Sequence, residues 1–428
     1  MQQTTTASKT NQYLIPFILV TSLFFLWAFL HNMNPILIPH LKKACQLTNT
    51  QSALIDTAVY IGYFLMALPA GWLMHRYGYK KGILSGLVLY AIGALLFLPA
   101  ASDRSFILFL TALFIIAAGA TFLETVANPY ITKLGDPATS EQRLNFAQSF
   151  NGVGAVVAPI IGGQFILSGV EHTKAELDKM SPEVLSSYLL GEAATVKIPY
   201  LVIAVVVLIV AALFFLARIP EIKENGSEES KHSFSFKIFR HSHVTWAVIA
   251  QLFYVGAQVC VGSFFIRFAG QMMNLPEKPA ARWWGLIAMS GFMLGRFAGT
   301  WLMKYFKPAK LISLYSVINM LLLAIAMFAK GELTVYAVMT VPFFMSIMFP
   351  TIFALGIKDL GEESKIASSF IVMAIVGGAI FPLFMGMISD ATGSMQKAYI
   401  VPLLCFLVTL YFGMKGHKIV PPKKQASV

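Results

Sequence analysis

The feature that most constrains this chain is repeated along it: runs of roughly 20 apolar residues, separated by short polar connections, from near residue 13 to near residue 414. A helix of that length covers about 30 Å, the hydrocarbon thickness of a bilayer. Inside hydrocarbon a backbone satisfies its own hydrogen bonds only as a helix or a closed barrel, and these runs are continuous rather than alternating, so helices are expected. Twelve spans are predicted. They lie at about 13–38, 53–74, 82–101, 105–132, 146–169 and 198–217, then at about 243–266, 283–303, 309–329, 333–357, 367–389 and 396–414. Composition agrees, with 12% charged residues where a soluble domain carries about 25%. The first run lacks the cleavage site of a signal peptide and is read as span one.

The expected fold is therefore an all-α membrane protein, 12 transmembrane helices in two pseudo-symmetric six-helix bundles, residues 1–217 and 243–428. Between them, 218–242 reads as a polar linker holding Pro220, Asn225, Gly226 and many charges. Matches between the halves occur in order: Trp72-Leu-Met74 with Trp301-Leu-Met303, Leu23-Phe24 with Leu252-Phe253, and Pro129 to Gly135 with Pro350 to Gly356. Such a repeat is how duplicated transporter folds are built.

An even number of spans puts both termini on one side. That side, which includes the linker, carries 20 Lys and Arg against 11 on the other, so the termini and linker are expected to be cytoplasmic, in a bacterial inner membrane. The net charge of +12 then calls for no nucleic-acid partner. The expected partners are the lipid bilayer and a small solute, and the expected state is a monomer. Cys45, Cys260 and Cys405 are scattered with no disulfide framework or metal-ligand spacing, so neither a metal nor a cofactor is expected.

Polar side chains inside apolar spans are the candidates for function. Glu124 lies deep in span four, where an ionised carboxylate costs at least about 2.5 to 3.5 kcal/mol. It must face a cavity, pair, or hold a proton. A group balanced between two protonation states is what proton coupling requires; a structural pairing with a cation such as Arg296 is the alternative. Asn128 shares its helix face one turn on. Asn145, Gln148 and Asn151 form a polar stripe on span five, and amides match the donors and acceptors of sugar hydroxyls. Interhelical amide bonds are the other reading. Asn32 and Asn34, with the aromatic face of Trp27, add a similar set near the end of span one. His31 and Asp56 are further titratable groups at the outer-facing ends of spans one and two, more readily interface residues than coupling groups. The glycines of span five have no strand before them and serve close packing rather than nucleotide binding.

The loop Gly71-Trp-Leu-Met-His-Arg-Tyr-Gly-Tyr-Lys-Lys81 resembles the signature of the major facilitator superfamily, with Gly71, Gly78 and the cations Arg76, Lys80 and Lys81 as a gating loop. His75 stands where an Asp is usual. More closely, the chain is similar to the L-fucose:proton symporter family over nearly its whole length. The residues carrying this include Ser22 to Ala28, Leu123 to Pro129, Arg143 to Asn151, Gly256-Ala-Gln258, Gly295 to Trp301, Phe349 to Ile357 and Ser368 to Met373. The resemblance implies the major facilitator fold and secondary transport of a monosaccharide. It places Glu124 at a coupling and sugar-contact position and Asn32, Gln148 and Asn151 at sugar contacts, and brings in Gln258 and Phe349. Three departures stand out. Pro35 replaces the family's acid in span one, Gly262 falls where a Trp can occur, and Phe349 where a Tyr can.

The expected function is an importer of a neutral monosaccharide, a deoxy sugar fitting a pocket poorer in polar groups, by alternating access with proton coupling through Glu124, or with His31 or Asp56 taking a share. Sodium coupling and uncoupled equilibration are the alternatives that Pro35 keeps open. A multispan enzyme acting on lipid-linked sugar is the rival from another class. The loops are short and lack paired acids or His clusters, which argues against an enzyme.

Overall fold

The computed structural model describes residues 13–135, 140–169, 172, 174–220, 236–360 and 363–419, so most of the expected linker, 221–235, lies outside the described residues. The first half runs α1 (Leu14–His31), α2 (Asn34–Ala44), α3 (Asn49–Tyr77), α4 (Tyr79–Ser102), α5 (Phe106–Lys133) and α6 (Ser140–Phe165), then α7 (Lys174–Leu177), α8 (Pro182–Ala194) and α9 (Lys197–Leu216). The second half runs α10 (Ser242–Met273), α11 (Glu277–Trp283), α12 (Ser290–Leu302), α13 (Pro308–Phe328), α14 (Glu332–Met345) and α15 (Met348–Gly356), then α16 (Ser364–Met373), α17 (Gly377–Thr392), α18 (Met395–Ala398) and α19 (Ile400–Tyr411).

Among the described residues, eleven helical stretches are long and apolar enough to cross a membrane. The expected span at 283–303 is helical as well, but α11 and α12 are joined by a π-helical turn, Trp284–Met289. Its helix carries Glu277, Lys278, Arg282 and Arg296, which is why it does not read as an apolar run. Span one reaches further than the hydropathy implies, to Ala44. His31 and Asn32 therefore sit within it rather than at its end.

Two compact units are present. One holds the described parts of 1–47, 61–226 and 276–285; the other holds those of 48–60, 227–275 and 286–428. In the first, α4 packs on α5 and α9, and α1 on α6 and α5. In the second, α13 packs on α14 and α19, and α10 on α17 and on α14 with α15. Each of the second set is the first set moved on by six spans. The units divide the sequence differently from its halves, because the start of α3 packs with the second half and α11 with the first. At α3, the Asp390 carboxylate accepts from the backbone N–H groups of Asn49 (2.9 Å) and Thr50 (2.8 Å) and from the Thr50 hydroxyl (2.7 Å). Charge-assisted bonds to the free N–H groups of a helix start are a favourable cap. Arg267 donates to Asn49 Oδ1 (3.0 Å) and Ser52 Oγ (2.8 Å) beside it. At α11, Glu277 shares Lys43 with Glu192, at 3.6 and 3.1 Å.

Close packing of α4 on α5 depends on missing side chains. A Cβ at Gly119 would lie 2.6 Å from the Gly86 carbonyl oxygen and 2.6 Å from the Tyr90 nitrogen. With little hydrophobic force between helices in lipid, such backbone approach carries the association. At the start of the second half, the short 3-10 helix Phe236–Arg240 packs Ile238 with Val244, Leu360, Ala367 and Phe370. Glu363 ties it down, accepting from Arg240 Nη2 at 2.8 Å and meeting His241 Nε2 at 2.8 Å. The His241 bond holds the Glu363 carboxyl below the usual carboxylate range.

Two outcomes follow from this packing. Gly119→Val forces α4 and α5 apart and lowers the unfolding free energy in detergent by about 1 to 3 kcal/mol, read as a fall in melting temperature. Glu363 is more acidic folded than unfolded, so its pairing stabilises the chain above the ordinary glutamate value of about 4.3 and ceases to do so as pH falls through the lowered value. A melting-temperature advantage of wild type over Glu363→Gln at neutral pH that closes below about pH 4 is the expected readout.

Candidate functional site

The site begins with a proline. Pro35 occupies the first turn of α2, where its lack of an N–H is tolerated. The same ring removes the bond that residue 35 would donate to the His31 carbonyl, so α1 stops at His31 and the chain restarts at Asn34. Asn32 closes the break: its backbone N–H and its amide both donate to the Ala28 carbonyl, at 3.0 and 2.8 Å. The position where the family carries an acid is here a helix break that presents His31 and Asn32.

On α5, Leu123, Val126, Ala127 and Tyr130 are buried against neighbouring helices, while Glu124, Thr125, Asn128 and Pro129 form a half-buried stripe. Asn128 donates to the Glu124 carbonyl (2.9 Å), and its own amide oxygen accepts from Gln148 Nε2 of α6 at 3.2 Å. Gln148 lies about 200° around α6 from Phe146 and Phe150, two of the exposed apolar residues of that helix. The polar faces of α5 and α6 thus meet each other, away from the face that suits lipid. Asn151, one turn from Gln148, is half-buried on the same side. Among the described residues the Glu124 carboxylate makes no ion pair and no side-chain hydrogen bond. The side chain of Asn145 lies outside those described.

The remaining candidates are placed differently. Trp27 is 3% exposed and its ring lies 4.3 Å from that of Phe24, so it is packed rather than open. Asn34 is buried within α2. Asp56 is 1% exposed and belongs to the unit opposite to that of Glu124; the charge it faces is that of Arg267. Gln258 on α10 and Phe349 on α15 are both half-buried, Phe349 just past the break between α14 and α15. Arg296 lies over the Phe292 ring at 4.7 Å.

In the loop between α3 and α4, Gly78 has φ 87° and ψ 171°, a region open to glycine and costly for other residues. Gly71 has open space around it. Arg76 stacks over Trp72 and Tyr77 at 5.4 and 5.6 Å, and Lys81 over Tyr77 at 5.5 Å. Lys80 donates to the carbonyls of Phe215 and Ala217, both at 2.9 Å, at the end of α9 where a cation suits the helix dipole. These cations are bound by rings and carbonyls of the same unit. The side chain of His75 lies outside the described residues.

Sequence reasoning overlooked two tyrosines of this unit that meet α1. Tyr63 of α3 sets its ring edge-on to His31, with centroids 6.0 Å apart, and Tyr90 of α4 donates to the Leu26 carbonyl at 3.0 Å. Tyrosines in apolar runs carry no signal of which face they take.

A helical chain with this arrangement matches the Major Facilitator Superfamily over residues 19–382. The chain belongs to the Major Facilitator Superfamily. Within the superfamily it is 46% identical over 411 residues to the L-fucose-proton symporter of Escherichia coli (strain K12), covering 95% of this chain and 94% of that protein. It is 38% identical over 421 residues to the glucose/galactose transporter of Brucella abortus biovar 1 (strain 9-941), covering 97% of each. A crystal structure of a superfamily transporter in the outward conformation matches with a TM-score of 0.67 at 45% identity, over 94% of this chain and 98% of that one. The D-xylose-proton symporter matches with a TM-score of 0.71 at 12% identity, over 97% and 100%, a likeness of fold alone.

The Asn128–Gln148 bond joins two helices and is open to a direct test. A double-mutant cycle with Asn128→Ala and Gln148→Ala, followed by reversible unfolding in detergent, is expected to give a coupling of about 0.6 kcal/mol and no more than about 1.7.

Proposed function

We propose that the protein is a proton-coupled symporter that carries a neutral monosaccharide inward by alternating access, and that Glu124 is its coupling carboxylate. It is a transporter of the Major Facilitator Superfamily and not an enzyme. The observation that carries the reading is the setting of Glu124. Among the described residues no cation pairs with its carboxylate, and it shares its helix face with Asn128, which accepts from the Gln148 amide of α6, in a chain whose relatives are named for L-fucose, glucose and galactose.

The physical argument is one of linkage. An ionised Glu124 in an apolar helix is costly, and proton binding removes that cost. If the sugar binds the protonated form more tightly, the proton raises sugar affinity and the sugar raises proton affinity by the same factor. The amides supply donors and acceptors for hydroxyl groups, and an unmatched polar group on either side is penalised, which is the basis of selectivity. A substrate with few hydroxyls, such as a deoxy sugar, suits a chain in which Phe349 and Gly262 stand where the resemblance implies Tyr and Trp. Inward movement with one proton gains about 2.3 kcal/mol per 100 mV of membrane potential.

On this reading residues 1–217 and 243–428 act as the two bundles, 218–242 joins them, and both termini face the cytoplasm of a bacterial inner membrane. The protein works as a monomer, with the lipid bilayer and the sugar as its partners and no nucleic acid. Pro35 favours a second reading, sodium-coupled or uncoupled movement, because it leaves span one without a carboxylate.

Glu124→Gln in proteoliposomes separates the two. Under proton coupling the variant exchanges labelled sugar across the membrane but no longer accumulates it, and addition of sugar no longer alkalinises the medium. Accumulation equal to wild type would remove Glu124 from the mechanism.

A further inference from the structure

Span eight begins in one unit and ends in the other. Its first part, Pro276–Gly285, groups with the first unit, whereas Leu275 before it and Leu286 after it belong to the second. Both ends of this piece are irregular. Asn274, at the end of α10, has φ 53° and ψ 32°, a left-handed conformation that few residues other than glycine and asparagine adopt. At the far end the π-helical turn Trp284–Met289 contains the change of unit. Such turns inside α-helices are rare and frequently mark functional positions. Thus α11 is a short rod between two irregular joints.

The rod meets the first unit in two ways. It packs on α6 through small residues: a Cβ at Gly163 would lie 2.7 Å from Ala281 Cβ, and one at Gly285 would lie 2.8 Å from the Val156 carbonyl oxygen. Backbones approach there with little interlocking of side chains to undo. The polar contact is one cation shared by two acids. Lys43 Nζ lies 3.1 Å from Glu192 Oε2 and 3.6 Å from Glu277 Oε2, and donates to Ser168 Oγ at 3.4 Å. The two acids are unequal. Glu192 is 3% exposed and also accepts from the Ser168 hydroxyl, so it is built into the first half. Glu277 is 20% exposed and comes from the second half of the sequence. When Glu277 leaves, it regains water and Lys43 keeps Glu192, so no charge is stranded. A partly exposed ion pair of this kind is weak enough to be made and broken in every cycle.

Resting on the alternating-access reading with cytoplasmic termini, which puts Lys43 and α11 at the outer ends of their spans, we propose that α11 is an outer latch. It is docked on the first half through Lys43 and Glu277 in the outward-closed form, and it swings away on the π-turn in the outward-open form. Lys43 is the switch point, because it either shares its charge between two acids or gives it all to Glu192. Hinges are a few residues at the ends of elements that absorb the backbone change, and Asn274 and Trp284–Met289 hold those places around α11. Because the two acids compete for one cation, their removal has opposite effects. Without Glu277 the docked form loses an ion pair. Without Glu192 the undocked form loses one, and docking gains.

The test uses full-length protein carrying Cys45→Ser, with Cys260 and Cys405 left in place because they are buried. Spin labels go on Ser186→Cys of α8 and Arg282→Cys of α11, both exposed positions. Label-to-label distances are measured by pulsed electron paramagnetic resonance in proteoliposomes, and uptake of labelled L-fucose, D-galactose and D-glucose is followed in the same preparation. Two distances are expected, a shorter docked one and a longer undocked one. Glu277→Gln raises the ratio of long to short by about two- to five-fold, the effect of one partly exposed ion pair, and Glu192→Gln lowers it. A role in packing alone would not move the two ratios in opposite directions. A single distance in all three proteins while sugar is taken up overturns the latch and leaves the transport reading intact. Two distances whose ratio neither variant shifts, or both shift the same way, also overturn it, since Lys43 is then not the switch. Absence of uptake for all three sugars removes the reading on which the latch rests.

Discussion

The constraint on which the rest depends is the cost of charge in hydrocarbon. Every other charged side chain discussed in the first unit finds an answer to that cost. Lys43 is held between Glu192 and Glu277, Lys80 caps the end of α9, and Arg76 lies over Trp72 and Tyr77. Among the described residues the Glu124 carboxylate has no ion pair and no side-chain hydrogen bond. On the proposed reading, a residue left in that condition changes its protonation state when its surroundings change, which a carboxylate locked to an arginine does not.

Backbone follows the same logic. A helix in lipid leaves no polar group unsatisfied, so a broken helix is tolerated only where something replaces the lost bonds. Asn32 does so at the break in span one by giving two donors to the Ala28 carbonyl. In the second half, span ten breaks between α14 and α15, and there the Tyr254 hydroxyl donates to the Met345 carbonyl at 3.0 Å. Each break therefore has a polar side chain built in beside it. Such interruptions near the middle of spans are where transporters place their solute contacts, and Phe349 and His31 both lie at one.

Much of this was legible in the sequence, for reasons that can be named. Hydropathy reports burial in lipid directly, so the spans could be read off. That Asn128 shares a face with Glu124, and that Asn145, Gln148 and Asn151 form one stripe on span five, followed from helical periodicity, since residues three or four apart share a face. Other features lay beyond it. The span around 283–303 is entered through α11, whose Glu277 pairs with Lys43 far away in sequence, so its π-turn and its packing with the first unit had no local sign. Trp27 and Tyr63 are alike in sequence, aromatic residues in apolar helices, yet one is packed on Phe24 and the other is half-buried against the His31 ring. Asp56 stood as a coupling candidate beside Glu124 in sequence reasoning, but the fold puts it in the unit with Arg267.

The sequence by itself determined that the chain crosses the membrane many times as helices, repeats its organisation after six spans, and carries an acid where an acid is costly. Those are properties of single segments, set by solvation and by the 3.6-residue period of the helix. Only the tertiary structure decided which polar groups meet: that Gln148 reaches Asn128, that Asp390 caps the start of α3, and that Tyr63 meets His31 edge-on. Such meetings depend on how closely helices approach. That distance is set by glycines such as Gly62, Gly86 and Gly119, whose effect appears only when a second backbone lies against them.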